Sequence, residues 1–294
     1  MTAKYRASDG HLLWAEKDSG VGATGWDVSS EVEVDERGNV YVAGRSETVT
    51  GADILVLKYD ADGTVRWRRR FSWIGYVYHE VKAMEYACGR LALLARAEGP
   101  SGAEFLTIAI DSADGDTAWV KRYQYPGRTD NRPSDLACDA AGGVYVTGTV
   151  TVPPGYTTYY TAMYDRDGNQ AWAMVHDDTS RVDSESRGLC ASADWCVVTG
   201  SRGAGSTSDF MTIKYAYDVG VKSPPSARLP VLPRSGSVDA GAEQIAAGTA
   251  FDVTGRRVTA RANGTSTGNQ LPPGVYFLRQ GGNICTAKVV VASK

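Results

Sequence analysis

The chain has 294 residues, 43% hydrophobic and 22% charged, with 33 glycines and a formal net charge of −3. That length allows one large all-β domain or two smaller ones with a buried core. The near-neutral balance supplies no global field for nucleic acid or an anionic membrane, and no apolar run approaches the roughly 18 residues of a membrane span.

Met1 to Asp18 holds two short strand signals, Thr2-Ala-Lys-Tyr5 and a stretch around Trp14, which is half of the unit that follows. Residues 27–71 are the first full unit. Glu31-Val-Glu-Val-Asp35 alternates as a half-buried strand does. Gly38 and Asn39 tolerate the positive φ of a turn. Val40-Tyr-Val-Ala-Gly44 is rich in β-branched and aromatic residues. Ile54-Leu-Val-Leu-Lys-Tyr59 is apolar without alternation, as expected of a strand covered on both faces. Asp60-Ala-Asp-Gly63 turns the chain into a fourth strand, Val65 to Phe71.

The same recipe returns over residues 80–123, 133–175 and 186–218, the last without its fourth strand. Asp-Gly-x-x-x-Trp recurs four times, and its tryptophans Trp14, Trp67, Trp119 and Trp172 stand 53, 52 and 53 positions apart. A period of this length with one aromatic anchor per unit marks a repeat architecture. Four-stranded antiparallel units repeated radially are β-propeller blades. The expected fold is therefore all-β: a propeller-like array of about four blades over residues 1–218, each Trp a wedge between neighbouring blades. Residues 10–17 could instead supply the missing fourth strand of the last unit and close the ring.

From 219 to 248 the chain is rich in Pro, Gly and Ser, which makes a linker. Three strand signals follow within 249–294, at Thr249–Val253, Gly274–Arg279 and Ala287–Val291, and a small β-sandwich-like domain is expected there.

Two resemblances attach to these residues. Asp35-x-x-Gly-Asn-Val-Tyr-Val-x-Gly44 followed by Lys58-Tyr-Asp-x-x-Gly-x-x-x-Trp67-Arg-Arg-Arg-Phe71 resembles the bacterial SBBP-type β-propeller repeat, over roughly residues 2–218. That family implies secreted or surface proteins. The tail, through Phe251-Asp-Val-Thr-Gly-Arg-Arg-Val258, Leu271-Pro-Pro-Gly-Val-Tyr-Phe-Leu-Arg279 and Lys288-Val-Val-Val291, is similar to the C-terminal sorting domain of the type IX secretion system. The tail resemblance implies export, a secreted or cell-surface location and the type IX machinery as partner. A start inside a repeat unit and a first segment without an apolar signal core lead to the expectation that the natural N-terminus lies further upstream.

No motif marks out catalytic chemistry. Asp60-Ala-Asp-Gly and Asp165-Arg-Asp-Gly look like the opening of a calcium loop, but the glutamate twelve positions on is missing, and each sits where a hairpin must turn. Near His176 there is no Gly-x-Ser-x-Gly elbow. Five cysteines form no Cys-x-x-Cys and only three histidines could join them, so neither a metal nor a cofactor is expected. Arg66, Arg68, Arg69 and Arg70 read as the solvated face of an outer strand. Cys190 and Cys196 flank a turn at positions matching Val34/Val40, and a disulfide between them would suit an exported protein.

Strand parity gathers the longer loops on the face opposite the Asp-Gly turns. There Trp26, Trp73, Tyr76, Tyr78, Tyr125, Arg128, Tyr156 and Tyr159 suit recognition of a glycan or protein, or else they cap the blade ends. The expected function is a non-catalytic binding or scaffold module. Two alternatives stay open: the propeller of a secreted hydrolase or quinoprotein-like enzyme, and a purely structural surface protein.

Overall fold

The computed structural model describes residues 1–18, 26–176, 181–204, 207–216 and four strands beyond 248. The chain falls into two compact units, Met1–Ala227 and Arg228–Lys294. Every regular element among the described residues is a strand.

In the first unit, β1 (Thr2–Tyr5) and β2 (Leu12–Glu16) form a two-stranded half-blade. Three four-stranded antiparallel meanders follow: β3 (Asp27–Val34) to β6 (Val65–Phe71), β7 (Tyr78–Ala87) to β10 (Thr117–Tyr123), and β11 (Asn131–Cys138) to β14 (Gln170–Val175). The second strands of these meanders are β4 (Val40–Thr48), β8 (Arg90–Gly99) and β12 (Val144–Val152), and the third are β5 (Gly51–Tyr59), β9 (Gly102–Asp111) and β13 (Tyr156–Tyr164). A three-stranded sheet, β15 (Asp183–Ser192), β16 (Trp195–Ala204) and β17 (Thr207–Ala216), ends the series. The first strands β3, β7, β11 and β15 neighbour one another in succession, so they line the inside of the array. Successive sheets stack face to face in a propeller-like arrangement, and the buried residues lie at the junctions.

Each sheet thus has a front, towards the following sheet, and a back. Tyr41 points forward and stacks on Tyr86 of the next blade, with centroids 5.7 Å apart. Val42, paired with Val32, points back with Val40, Leu55, Leu57 and Tyr59, and the half-blade's Trp14 packs there.

The recurring sequence motifs have local physical causes. In Asp-x-x-Gly-x-x-Tyr the carboxylate organises the first hairpin: Asp35 accepts from the backbone N–H of Arg37 and Asn39, the Asn39 amide at 2.7 Å and the Tyr41 hydroxyl at 3.0 Å. Asp139 repeats this with Ala141, Gly143 and Tyr145. Each inner strand carries a β-bulge at the same place, at Ser30, Lys82, Ser134 and Arg187. The facing residue of strand two is Gly44, Ala95, Gly148 and Gly200 in turn, and a Cβ at Gly44 would stand 2.7 Å from Ser29 Cα. The bulge brings the two backbones close, which favours the smallest side chains there.

Asp-Gly-x-x-x-Trp proves to be a single inter-blade device. Trp14, Trp67 and Trp119 each lie over the Asp-Gly turn of the next blade and donate the indole N–H to that turn. Trp14 reaches Ala61 O at 3.0 Å, Trp67 reaches Ser112 O at 3.2 Å and Trp119 reaches Arg166 O at 3.0 Å. The turn glycines Gly63, Gly115 and Gly168 have φ between 81° and 90°, and a Cβ on any of them would enter the ring of Trp14, Trp67 or Trp119. Glycine is thus required twice over, for its backbone and for the aromatic laid against it. Trp172 extends the series by packing 5.6 Å from Tyr215 of β17.

Among the described residues of the second unit, β18 (Thr249–Phe251), β19 (Arg257–Val258), β20 (Gly274–Arg279) and β21 (Ala287–Val291) form one sheet in the order β19-β18-β20-β21. The three strand signals of the tail are present, with β19 added. The expected linker, 219–248, lies outside the described residues.

Candidate functional site

The loop face holds most of its expected residues, largely as packing. Trp73 and Tyr76 flank the buried His79, at 5.3 and 5.8 Å between ring centroids, and Arg122 sits 5.0 Å from the Trp73 ring and 4.3 Å from Tyr76. Glu104 holds Arg122 at 2.9 Å. Burial keeps His79 below the usual histidine range, despite the Ala52 carbonyl at 2.8 Å from Nδ1. Together these groups plug the end of the first junction.

Tyr78 accepts from Arg45 at 3.0 Å, under the same guanidinium. Tyr125 and Tyr156 lean on the second junction's core. Arg128 is half-buried in the turn that Asn131 ties together, its carbonyl accepting from Asn131 at 3.4 Å. Tyr159 corrects the expectation: it is fully buried and points forward into the last junction, its hydroxyl donating to Met211 O. Only Trp26, three-quarters exposed, stands clear of its neighbours as a recognition ring does.

The disulfide expected between Cys190 and Cys196 is not formed. A tight turn pairs Ser192 with Trp195, so Cys190 faces Val197 and Cys196 faces Ala191. The two thiols leave opposite faces of the hairpin, and both are free. The arginines of β6 are engaged: Arg68 with Asp18, Arg69 with Asp116 and the Asp114 carbonyl, Arg70 with Asp53 and Ser46. Asp60 and Asp165 turn their carboxylates on the N–H groups of their own hairpins.

A cleft of about 440 Å³ opens on the opposite face, among the turns. The β3–β4 turn contributes Asp35, Glu36, Arg37 and Asn39. From the second blade come Tyr86, Cys88 to Arg90, and Asp111 to Ala113, while Lys58 and Arg166 reach in from the blades on either side. Its walls are fixed. Lys58 donates to Ser112 O at 2.7 Å and lies 5.2 Å from the Tyr41 ring. Arg90 donates to the Arg166 carbonyl, Arg166 to the Cys88 carbonyl. Cys88 adopts φ +51°, rare for a residue with a side chain.

Burial lowers the Lys58 pKa against the pull of Asp35 and Asp111, and the Arg37 charge pushes the same way as burial. Burial favours the neutral acid of Asp35, but the Asn39, Tyr41 and Arg37 hydrogen bonds outweigh it and hold its carboxyl below the usual range. Four cations meet three carboxylates here, and Asp35 is already saturated by donors. The surplus capacity is for donating, which fits an anionic or richly hydroxylated ligand. This cleft was not readable from sequence, because its walls come from turns of three repeats.

A second group of charges lines the array's inside. Glu31, Glu33, Glu85 and Asp135 are all shifted up, first by desolvation; mutual repulsion adds for Glu31 and Glu85. Two of them tie inner strands together. Glu85 accepts the Cys138 N–H at 2.8 Å, and Asp135 accepts the Leu189 N–H at 2.6 Å. Among the described residues no group of three or more His, Cys, Asp or Glu is placed to hold a metal ion.

No family model matches the chain. No curated protein matches it either. Among solved structures it is similar to the polysaccharide lyase Uly1, at 14% identity and a TM-score of 0.42, over 64% of this chain and 49% of that one. It thus spans about half of the lyase's length. It is also similar to the GH43 endo-arabinanase from Bacillus licheniformis, at 10% identity and a TM-score of 0.34, over 88% and 91% of the two chains.

Proposed function

We propose that this chain is a non-catalytic binding or scaffold module of an exported protein, with the turn-face cleft as its ligand seat. The observation that carries the proposal is the state of the cleft's charged groups. Asp35 and Lys58 are each committed to the fold, and the Asp35 carboxyl is held ionised rather than poised to exchange a proton. Arginine donors around a rigid polar cleft suit recognition of carboxylated or hydroxylated groups such as those of glycans. The loop face adds Trp26 as a second contact for a glycan or protein.

Residues 249–294 serve as a type IX sorting tail that brings the module to the cell surface or beyond; this rests on the sequence resemblance and on four strands within that stretch.

Calorimetric titration with uronate-containing and neutral oligosaccharides tests the cleft. Binding weakened about tenfold or more by Arg90→Ala, with no product formed on long incubation, is expected. Saccharide cleavage, or equal binding by the Arg90→Ala protein, would reject the proposal. A reporter fused to residues 219–294 in a type IX-competent bacterium, behind a signal peptide, should be exported; retention in the periplasm would reject the tail's role.

A further inference from the structure

We infer that the two ends of the blade array are mating surfaces, and that the front of the last sheet docks on the back of the first blade in a second copy of this chain. The bulges fix which positions are equivalent along the repeats. The residue after each of Gly44, Ala95, Gly148 and Gly200 pairs with Ile54, Phe105, Tyr159 and Phe210 respectively. This is the large forward-pointing side chain of strand three. Ile54, Phe105 and Tyr159 are at most 1% exposed, because a following sheet covers them; Phe210 is 97% exposed.

The backward-pointing residue two places past the bulge shows the converse. Met84 and Leu136 are 5% and 6% exposed, whereas the equivalent Val32 is 61% exposed, with Val34 beside it at 56%. The half-blade covers only the outer part of the first blade's back, where Trp14 meets Tyr59. Among the described residues the back of the inner strand β3 is left bare at Val32 and Val34.

A bare front and a bare back are the same two surfaces that join at every internal junction, where the forward residue is buried each time. The occupant each end fits is therefore the other end. Among the described residues the last sheet makes no substantial contact with the half-blade or the first blade, so the partner is a second copy, joined head to tail. Such a contact is heterologous: it closes into a ring or grows into a filament, and its two patches differ. The front patch also carries Lys214, stacked 4.9 Å from the Trp195 ring, which rims the apolar Phe210 with charge.

Sedimentation velocity of the full chain, over a range of micromolar concentrations, tests the inference. Self-association is expected, weakened at least tenfold by Phe210→Asp and by Val32→Asp alone. Both positions are exposed, and unchanged circular dichroism confirms that the variants fold. Mixing the two variants decides the geometry. Each retains one intact patch, so the mixture must form a 1:1 complex that neither forms alone. Ile74→Asp alters an equally exposed apolar residue on a loop and must leave association intact. A monomeric wild type, a mixture that stays monomeric, or equal loss with Ile74→Asp would each overturn the inference.

Discussion

Replacing Gly168 by alanine, with and without the tryptophan that lies on it, isolates the contact that joins one blade to the next. Gly168 has φ +81°, and a Cβ there would stand 2.6 Å from Trp119 Cγ. The left-handed conformation costs an alanine about 1–2 kcal/mol. Forcing a methyl into a packed ring costs about 1–3 kcal/mol more, so Gly168→Ala should destabilise the protein by about 2–5 kcal/mol. Trp119→Ala by itself should cost about 3–5 kcal/mol, since the indole is buried, 5.8 Å from Tyr164, and hydrogen-bonded to Arg166 O. In that background the overlap is gone and only the backbone term of about 1–2 kcal/mol remains for Gly168→Ala. The two changes should therefore cost less together than in sum, by about 1–3 kcal/mol. Gly89→Ala is the reference: its φ is +77° with nothing within 4 Å, so it should cost the same in both backgrounds. Urea unfolding followed by far-ultraviolet circular dichroism gives the four stabilities, with the slope checked for two-state behaviour. Equal cost of Gly168→Ala with and without Trp119 would refute the wedge.

Three further outcomes follow from the charges and thiols. Tyr41→Phe removes one hydrogen bond to Asp35 and should cost about 0.5–1.5 kcal/mol at neutral pH. Because the Asp35 carboxyl is depressed from 3.8, its stabilisation is present above that value and lost as pH falls through the folded value, so the variant's deficit should shrink in acid; a deficit independent of pH would contradict this. Glu85 is shifted the other way, up from 4.5, mainly by desolvation. Its ionisation therefore opposes folding as pH rises above 4.5, and Glu85→Gln should raise the melting temperature at pH 7 but not at pH 4. Under native conditions Cys88 and Cys190 should react readily with a thiol reagent, while Cys196, buried and pushed up to about 12 first by desolvation, should react only on unfolding. Mass spectrometry of the labelled peptides reads this directly, and rapid labelling of Cys196 would contradict its burial.

The all-β repeat was legible because its markers are periodic and physically forced. Trp67 and Gly115 recur together since one lies on the other, and Asp35, Gly38 and Tyr41 recur since one carboxylate holds the turn. What depends on register was less legible. A turn shortened to Ala193 and Asp194 shifts β15 against β16 and separates the thiols of Cys190 and Cys196 onto opposite faces. Tyr159 was misplaced because β12 and β13 run on in unbroken register as far as Val152 and Tyr156, so a ring read as part of the loop lies inside the strand and under the next sheet. The cleft escaped for a different reason: Arg37, Arg90 and Arg166 belong to three repeats, and only stacking brings them together.

The central claim, that Trp14, Trp67 and Trp119 are each laid on the glycine turn of the next blade, is tested most directly by nuclear Overhauser spectroscopy. Gly63, Gly115 and Gly168 α-protons should be displaced upfield by the ring current and show cross-peaks to the indoles of Trp14, Trp67 and Trp119 respectively, while Gly89, with no ring beside it, should show neither effect. Ordinary shifts and no indole cross-peaks at those three glycines would contradict the account.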